Sequence, residues 1–117
     1  MQTYRDLIVW QKSMELVVEI YKLTTFLPKD ELYGLMNQMK RAAVSIPSNI
    51  AEGFRRNHRP EQTQFYAIAY GSGAELETQL EICRKLKFCS IDQTQKADIL
   101  LDEIMRMLNK MSSPNQQ

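Results

Sequence analysis

Glycine, proline, cysteine and histidine are all scarce in this 117-residue chain, at four, four, two and one copies. So few turn formers do not serve a sandwich or barrel, which needs a turn about every ten residues. One histidine, His58, and two cysteines, Cys83 and Cys89, cannot supply the four ligands of a structural zinc site. The two thiols read as reduced groups in a cytoplasmic protein, one of them on a core face, rather than as a disulfide or redox pair. Charge of one sign is lacking too. Fifteen Lys and Arg against fourteen Asp and Glu leave a net charge of +1, so the whole chain exerts no pull toward nucleic acid or membrane.

Long apolar runs are also missing. The longest uncharged stretch, Ala42 to Ala51, holds Ser45, Pro47, Ser48 and Asn49, and is too short and polar to span a bilayer. The first residues, MQTYRDLIVW, have no basic n-region, no long apolar segment and no small-residue cleavage site, so no signal peptide is expected. No alternation of apolar and polar residues is long enough for a strand. A chain of 13.7 kDa with 44% hydrophobic and 25% charged residues suits one domain, residues 1–117. Its core is expected over about 6–111, with a frayed tail at 112–117.

Helical spacing is what remains. Leu7, Trp10, Met14, Val17 and Tyr21 follow steps of three and four, and Val9, Leu16, Ile20, Leu23 and Leu27 form a second row beside them. Asp6 is the expected N-cap and Pro28 the stop. The second helix is expected from near Asp30, with Leu32, Leu35, Met36, Met39, Ala42, Ala43, Ile46, Ile50 and Phe54 along one face. Pro47 lies inside that row. It costs about 3 kcal/mol in a helix interior, and it should kink the helix rather than end it, because the row keeps its register on both sides. Ser45, Ser48 and Asn49 stand near the carbonyl of Ala43 that the proline frees.

Asn57 to Pro60 reads as a connection, with Pro60 in the first turn of a third helix. Phe65, Ala69, Ser72, Leu76, Leu80, Cys83 and Leu86 form its row, and Gly71 and Gly73 suggest close approach of a neighbour. Ser90 and Gln93 form a capping box before a fourth row of Ile91, Ala97, Leu100, Leu101, Ile104, Leu108 and Met111. Four such helices with short connections give an all-α, antiparallel up-down four-helix bundle, helix two kinked at Pro47. The double apolar surface of helix one exceeds what a monomer exposes, so Val9, Leu16, Ile20 and Leu23 are expected at a homo-oligomer interface.

Catalytic patterns are absent. Gly71-Ser72-Gly73 lacks the Lys and the strand-to-helix setting of a phosphate loop. No Glu-x-x-His pair stands ready for a di-iron bundle. Glu77 and Glu81 can pair with Arg84 and Lys85, so Glu75, Glu77 and Glu81 read as a solvated face. No enzymatic activity, cofactor or metal is expected. Local charge says more. Lys40, Arg41, Arg55, Arg56, His58 and Arg59 face one acid, Glu52, across that stretch. Lys40, Arg55, Arg56, His58 and Arg59 are candidate nucleic-acid contacts through phosphate. Pairing with Glu75, Glu77 or acids of a neighbouring subunit is the competing reading. Arg41, beside the apolar row, suits an internal ion pair.

Asp6-Leu7, Val9 to Lys12, Tyr33 to Leu35, Gln38, and above all Arg41 to Gly53 with its Ser-Ile-Pro-Ser-Asn-Ile-Ala-Glu-Gly string, carry a resemblance. Phe65, Ala69, Gly71-Ser72 and Glu75 to Glu77 extend it, over about Asp6 to Leu108. The chain resembles the bacterial 23S ribosomal RNA intervening-sequence proteins, whose superfamily includes the accessory variability determinant of diversity-generating retroelements. That resemblance implies a four-helix bundle assembled as a ring-like homopentamer with no established reaction. The retroelement relative is a basic pentamer that binds nucleic acid and a reverse transcriptase; association with RNA, DNA or a ribonucleoprotein is therefore the function expected here, and a structural scaffold that docks a protein partner, without nucleic acid, is the alternative. His58 stands where the family often carries a Ser cap.

Overall fold

The computed structural model describes residues 2–113. Four helices fill most of them: α1 (Ile8–Thr24), α2 (Leu35–Phe54), α3 (Arg59–Lys85) and α4 (Ile91–Met111). Two 3-10 turns, Tyr4–Asp6 and Lys29–Glu31, precede α1 and α2, and no strand occurs among the described residues. Each helix touches its two neighbours around the bundle, α1 with α2 and α4, α3 with α2 and α4.

Cross-helix pairs run in opposite senses along every contact. Lys12 reaches Glu103 while Lys96 reaches Glu19 between α1 and α4. Lys40 covers Tyr21 while Arg55 covers Tyr4 between α2 and the α1 side. Ser45 meets Ser72 and Arg56 covers Phe65 between α2 and α3. Arg84 meets Asp98, and Gly73 abuts Met105, between α3 and α4. Neighbours are therefore antiparallel, and their stripes close on one core. Leu16, Ile20, Met39, Ile46, Ile50, Leu76, Leu80, Leu101, Ile104 and Leu108 sit there with almost no exposed surface.

Helix one corrects the expected interface. Val9, Leu16, Ile20 and Leu23 are buried in the core of their own subunit and have no surface to offer a second one. Two apolar rows lay side by side on this helix, and the bundle took the Val9 row inward. The other row is left at the surface, with Met14 and Tyr21 exposed, Val18 beside them, and Trp10 and Val17 half-buried.

The helix starts also differ from expectation. Asp6 caps the 3-10 turn rather than α1: its carboxylate accepts the Gln2 and Thr3 N–H groups at 2.9 and 3.1 Å, which hold its pKa below the usual value. α1 has no side-chain cap and stops at Thr24, well before Pro28. Thr24 and Thr25 donate their hydroxyls to the carbonyls of Tyr21 and Lys22, satisfying acceptors of the last turn. α2 begins at Leu35, because Lys29–Glu31 makes its own turn and Glu31 accepts the Leu35 N–H at 3.1 Å.

Pro47 lies inside α2 and is buried there. Ser48 donates to the Val44 carbonyl at 2.9 Å and Asn49 to the Ser45 carbonyl at 2.8 Å. These side chains thus bind the two carbonyls after Ala43 rather than that of Ala43 itself. On α3, Tyr66 and Gln79 are buried, whereas Phe65 is half-buried and Leu86, past the helix end, is exposed. Ile91, in the first turn of α4, is likewise exposed, since the core stripe starts at Thr94. The Ser90–Gln93 capping box forms as expected.

Candidate nucleic-acid interface

Short connections decide which cations meet. α2 ends at Phe54 and α3 starts at Arg59, so Arg55, Arg56, His58 and Arg59 share one tight turn at an end of the bundle. Lys40 does not join them. It lies about four turns back along α2, about 22 Å away, where its ammonium sits 4.8 Å from the Tyr21 ring centre.

The turn is held by Gln62, whose side-chain amide donates to the Arg56 carbonyl at 2.9 Å. His58 occupies the N-cap position of α3 without a side-chain capping bond and is exposed. Arg56 is spoken for. It pairs with Glu52 at 2.8 Å, one turn back on the same helix, and lies over the Phe65 ring. Glu75 and Glu77, the acids expected as partners for this cluster, form no ion pair among the described residues.

Arg55 has a different neighbour, one the sequence pattern did not reveal. Its guanidinium lies 5.5 Å from the centre of the Tyr4 ring, and Arg5 lies 4.8 Å from the same ring. Tyr4 is braced edge-on against Trp10, with ring centres 5.2 Å apart. The 3-10 turn capped by Thr3 and Asp6 therefore carries Arg5 to the Arg55 end of α2. The Thr3–Asp6 pair was the available signal, a capping box ahead of the first apolar row. Arg5, Arg55 and Arg59 make no ion pair among the described residues. Arg59 also lies near Tyr66, whose hydroxyl is pushed up in pKa by burial and drawn down by that charge.

Three unpaired guanidiniums at one end can each present a planar fork to phosphate oxygens. Arg41, expected in an internal ion pair, is exposed and has none among the described residues; it lines a polar groove with Asn37, Gln38, Ser45, Ser72 and Glu75.

Other reactive groups are engaged elsewhere. Arg84 binds Glu81 at 2.9 Å, Asp98 at 3.1 Å and the Thr94 hydroxyl at 3.1 Å, tying the end of α3 to α4. That contact holds the Glu81 carboxyl below its usual pKa. Both cysteines are free and buried, and burial pushes the Cys83 thiol up to about 12. Among the described residues no cluster of three metal-binding side chains occurs, and no helix is long and apolar enough to cross a membrane.

The string from Ser45 to Gly53 turns out to serve the fold. The Ser45 hydroxyl bonds that of Ser72 at 2.8 Å and accepts from Asn49 at 3.0 Å, stitching α2 to α3. Ile46 and Ile50 are fully buried, and Gly53 lets Tyr66 lie against the α2 backbone. Ser45 and Gly53 are the two members of the string shown against α3.

Comparisons agree with this geometry. No curated protein matches the chain. A solved structure described as a protein of unknown function from the S23 ribosomal protein family of Bacteroides thetaiotaomicron superposes with a TM-score of 0.83. It is 25% identical, and the match covers 91% of this chain and 99% of that one. The family model of the 23S rRNA-intervening sequence proteins matches residues 5–110, which takes in the Tyr4-side turn's Arg5, all four helices but for the last residue of α4, and the string that joins α2 to α3. The chain therefore belongs to the 23S rRNA-intervening sequence protein family.

Proposed function

We propose that this protein is a non-enzymatic, self-associating bundle that contacts nucleic-acid phosphate through its basic end. The observation that carries this reading is the group of Arg5, Arg55 and Arg59, brought to one end of the bundle without carboxylate partners among the described residues. One subunit with net charge +1 has little long-range attraction for a polyanion. Repetition of the basic end in an assembly, five copies by resemblance to the family, multiplies a weak contact into a useful one. Self-association is supported by the exposed apolar strip of Met14, Val18, Tyr21 and Val44. The assembly is expected to act in the cytoplasm.

Titration of single-stranded RNA and DNA over a salt series tests this. Binding should depend weakly on sequence and fall linearly in a log–log plot against salt, by about 0.7 per phosphate contact. Replacing Arg5, Arg55 and Arg59 by Gln should weaken binding at least about tenfold and flatten that slope. No binding at low salt, or equal binding by the variant, overturns the nucleic-acid reading. The apolar strip then stands as the dock for a protein partner on a structural scaffold.

A further inference from the structure

A polar groove runs between α2 and α3, away from the arginine end. The Ser45–Ser72 hydroxyl bond of 2.8 Å sets those residues at one level, and the two helices run in opposite senses. Arg41, one turn back from Ser45, is therefore level with Glu75, one turn on from Ser72. Both side chains line the groove, together with the two serines and, further along, Tyr33. Its volume is about 450 Å³. Small-molecule sites span about 300–1,000 Å³, so the size suits a ligand.

The groups in this groove are not satisfied by one another. Arg41 and Glu75 carry opposite charges on its two banks, yet neither forms an ion pair among the described residues. Tyr33 is 90% exposed, so almost nothing in the subunit covers its ring. A carboxylate accepts two N–H groups side by side, and a guanidinium donates two from its planar fork. A matching ligand is flat, with paired donors on one edge and paired acceptors on the next. Among the nucleobases guanine has that pattern: N1–H and the N2 amino group donate, and O6 and N7 accept. Adenine would turn its N1 lone pair toward the acid and its amino group toward the arginine. Cytosine also presents a ring acceptor there, and uracil has one donor where guanine has two.

We infer that this groove binds a guanine base, with Glu75 accepting from N1–H and the N2 amino group, Arg41 donating to O6 and N7, and Tyr33 stacking on the ring. The site is separate from the proposed phosphate contact, since Arg41 lies about 21 Å along α2 from Arg55. A free guanine nucleotide and an unpaired guanine in a single strand present the same edges.

Calorimetric titration of the full chain with guanosine, inosine and adenosine 5′-monophosphates tests this. The guanosine nucleotide should bind at least about tenfold more tightly than the adenosine one. Inosine monophosphate, which lacks the N2 amino group, should fall between them. Glu75→Gln and Arg41→Gln should each weaken guanosine monophosphate at least about tenfold and leave the urea midpoint unchanged, because both side chains are exposed. Tyr33→Phe should keep binding and Tyr33→Ala should weaken it. Replacing Arg5, Arg55 and Arg59 by Gln should not alter it, so failure of the groove and failure of the phosphate contact are read separately. An oligoadenylate strand with one guanine that displaces the nucleotide at lower concentration than free guanosine monophosphate identifies the single strand as the source; the reverse order identifies the free nucleotide. No binding of guanosine monophosphate at millimolar concentration, equal binding of the adenosine nucleotide, or full binding by Glu75→Gln overturns the assignment.

Discussion

Replacing Gly53 with alanine sets two effects of opposite sign against each other. Alanine favours helix over glycine by up to about 1 kcal/mol, and less in a last turn, where Gly53 sits. Against this, the new methyl carbon would lie 2.6 and 2.9 Å from two ring carbons of Tyr66 and 3.1 Å from the Phe65 Cβ. Carbon atoms rest at about 3.5–4.0 Å, so the ring must retreat by nearly 1 Å. Tyr66 is only 4% exposed and its ring cannot bend, while the Phe65 Cβ is fixed to the α3 backbone. Relief therefore requires α3 to move off α2, and overpacking of this kind costs about 1–3 kcal/mol. The net expectation is a loss of about 1–2 kcal/mol, read as a lower urea midpoint with unchanged slope. The same substitution in a Tyr66→Leu background should cost less, giving a coupling of about 1 kcal/mol or more in a double-mutant cycle. A Gly53→Ala chain as stable as wild type, or more so, refutes the packing argument.

Other substitutions follow from the end of α3 and from the buried thiol. Phe88 and Lys87 donate to the carbonyls of Cys83 and Arg84, closing the helix with Lys87 at a left-handed φ of 63°. Lys87→Gly should add about 0.5–1 kcal/mol in urea unfolding while Lys87→Ala adds nothing; equal stability of the two variants contradicts this. Cys83 has a folded-state pKa raised from 9.0 to about 12, so its stabilising effect is complete below pH 9 and is lost as pH rises toward 12. Between pH 8 and 10.5 the wild type should lose about 2 kcal/mol more than Cys83→Ala, and parallel losses would show that the thiol is not shielded.

Much of the bundle is legible in the residue pattern because its signals are local. Ser90 and Gln93 are three apart and cap α4 as the spacing requires. Pro60 marks the start of α3, and the unbroken row across Pro47 reports a helix that continues through it. What escapes is whatever depends on a distant partner. The Trp10 and Val9 rows of α1 are both apolar, and only the position of the other helices decides that the Val9 row turns inward. Gly71 and Gly73 look like one feature in sequence, but two residues on a helix point about 200° apart. One meets Met105 and the other faces outward. The candidate site shows the same division. Arg55, His58 and Arg59 are neighbours in the chain, so their cluster was visible. Lys40 dropped out because the helix carries it away, and Arg5 joined because Tyr4 brings the first turn beside Arg55. Arg56 left the free set because Glu52 lies one turn back.

Self-association underlies the proposed binding, and the mass of the native particle tests it most directly. Sedimentation equilibrium of the wild-type chain at micromolar concentration should give a multiple of the 13.7 kDa subunit, with five copies expected from the family resemblance. A single species of 13.7 kDa across the whole concentration range would contradict the account.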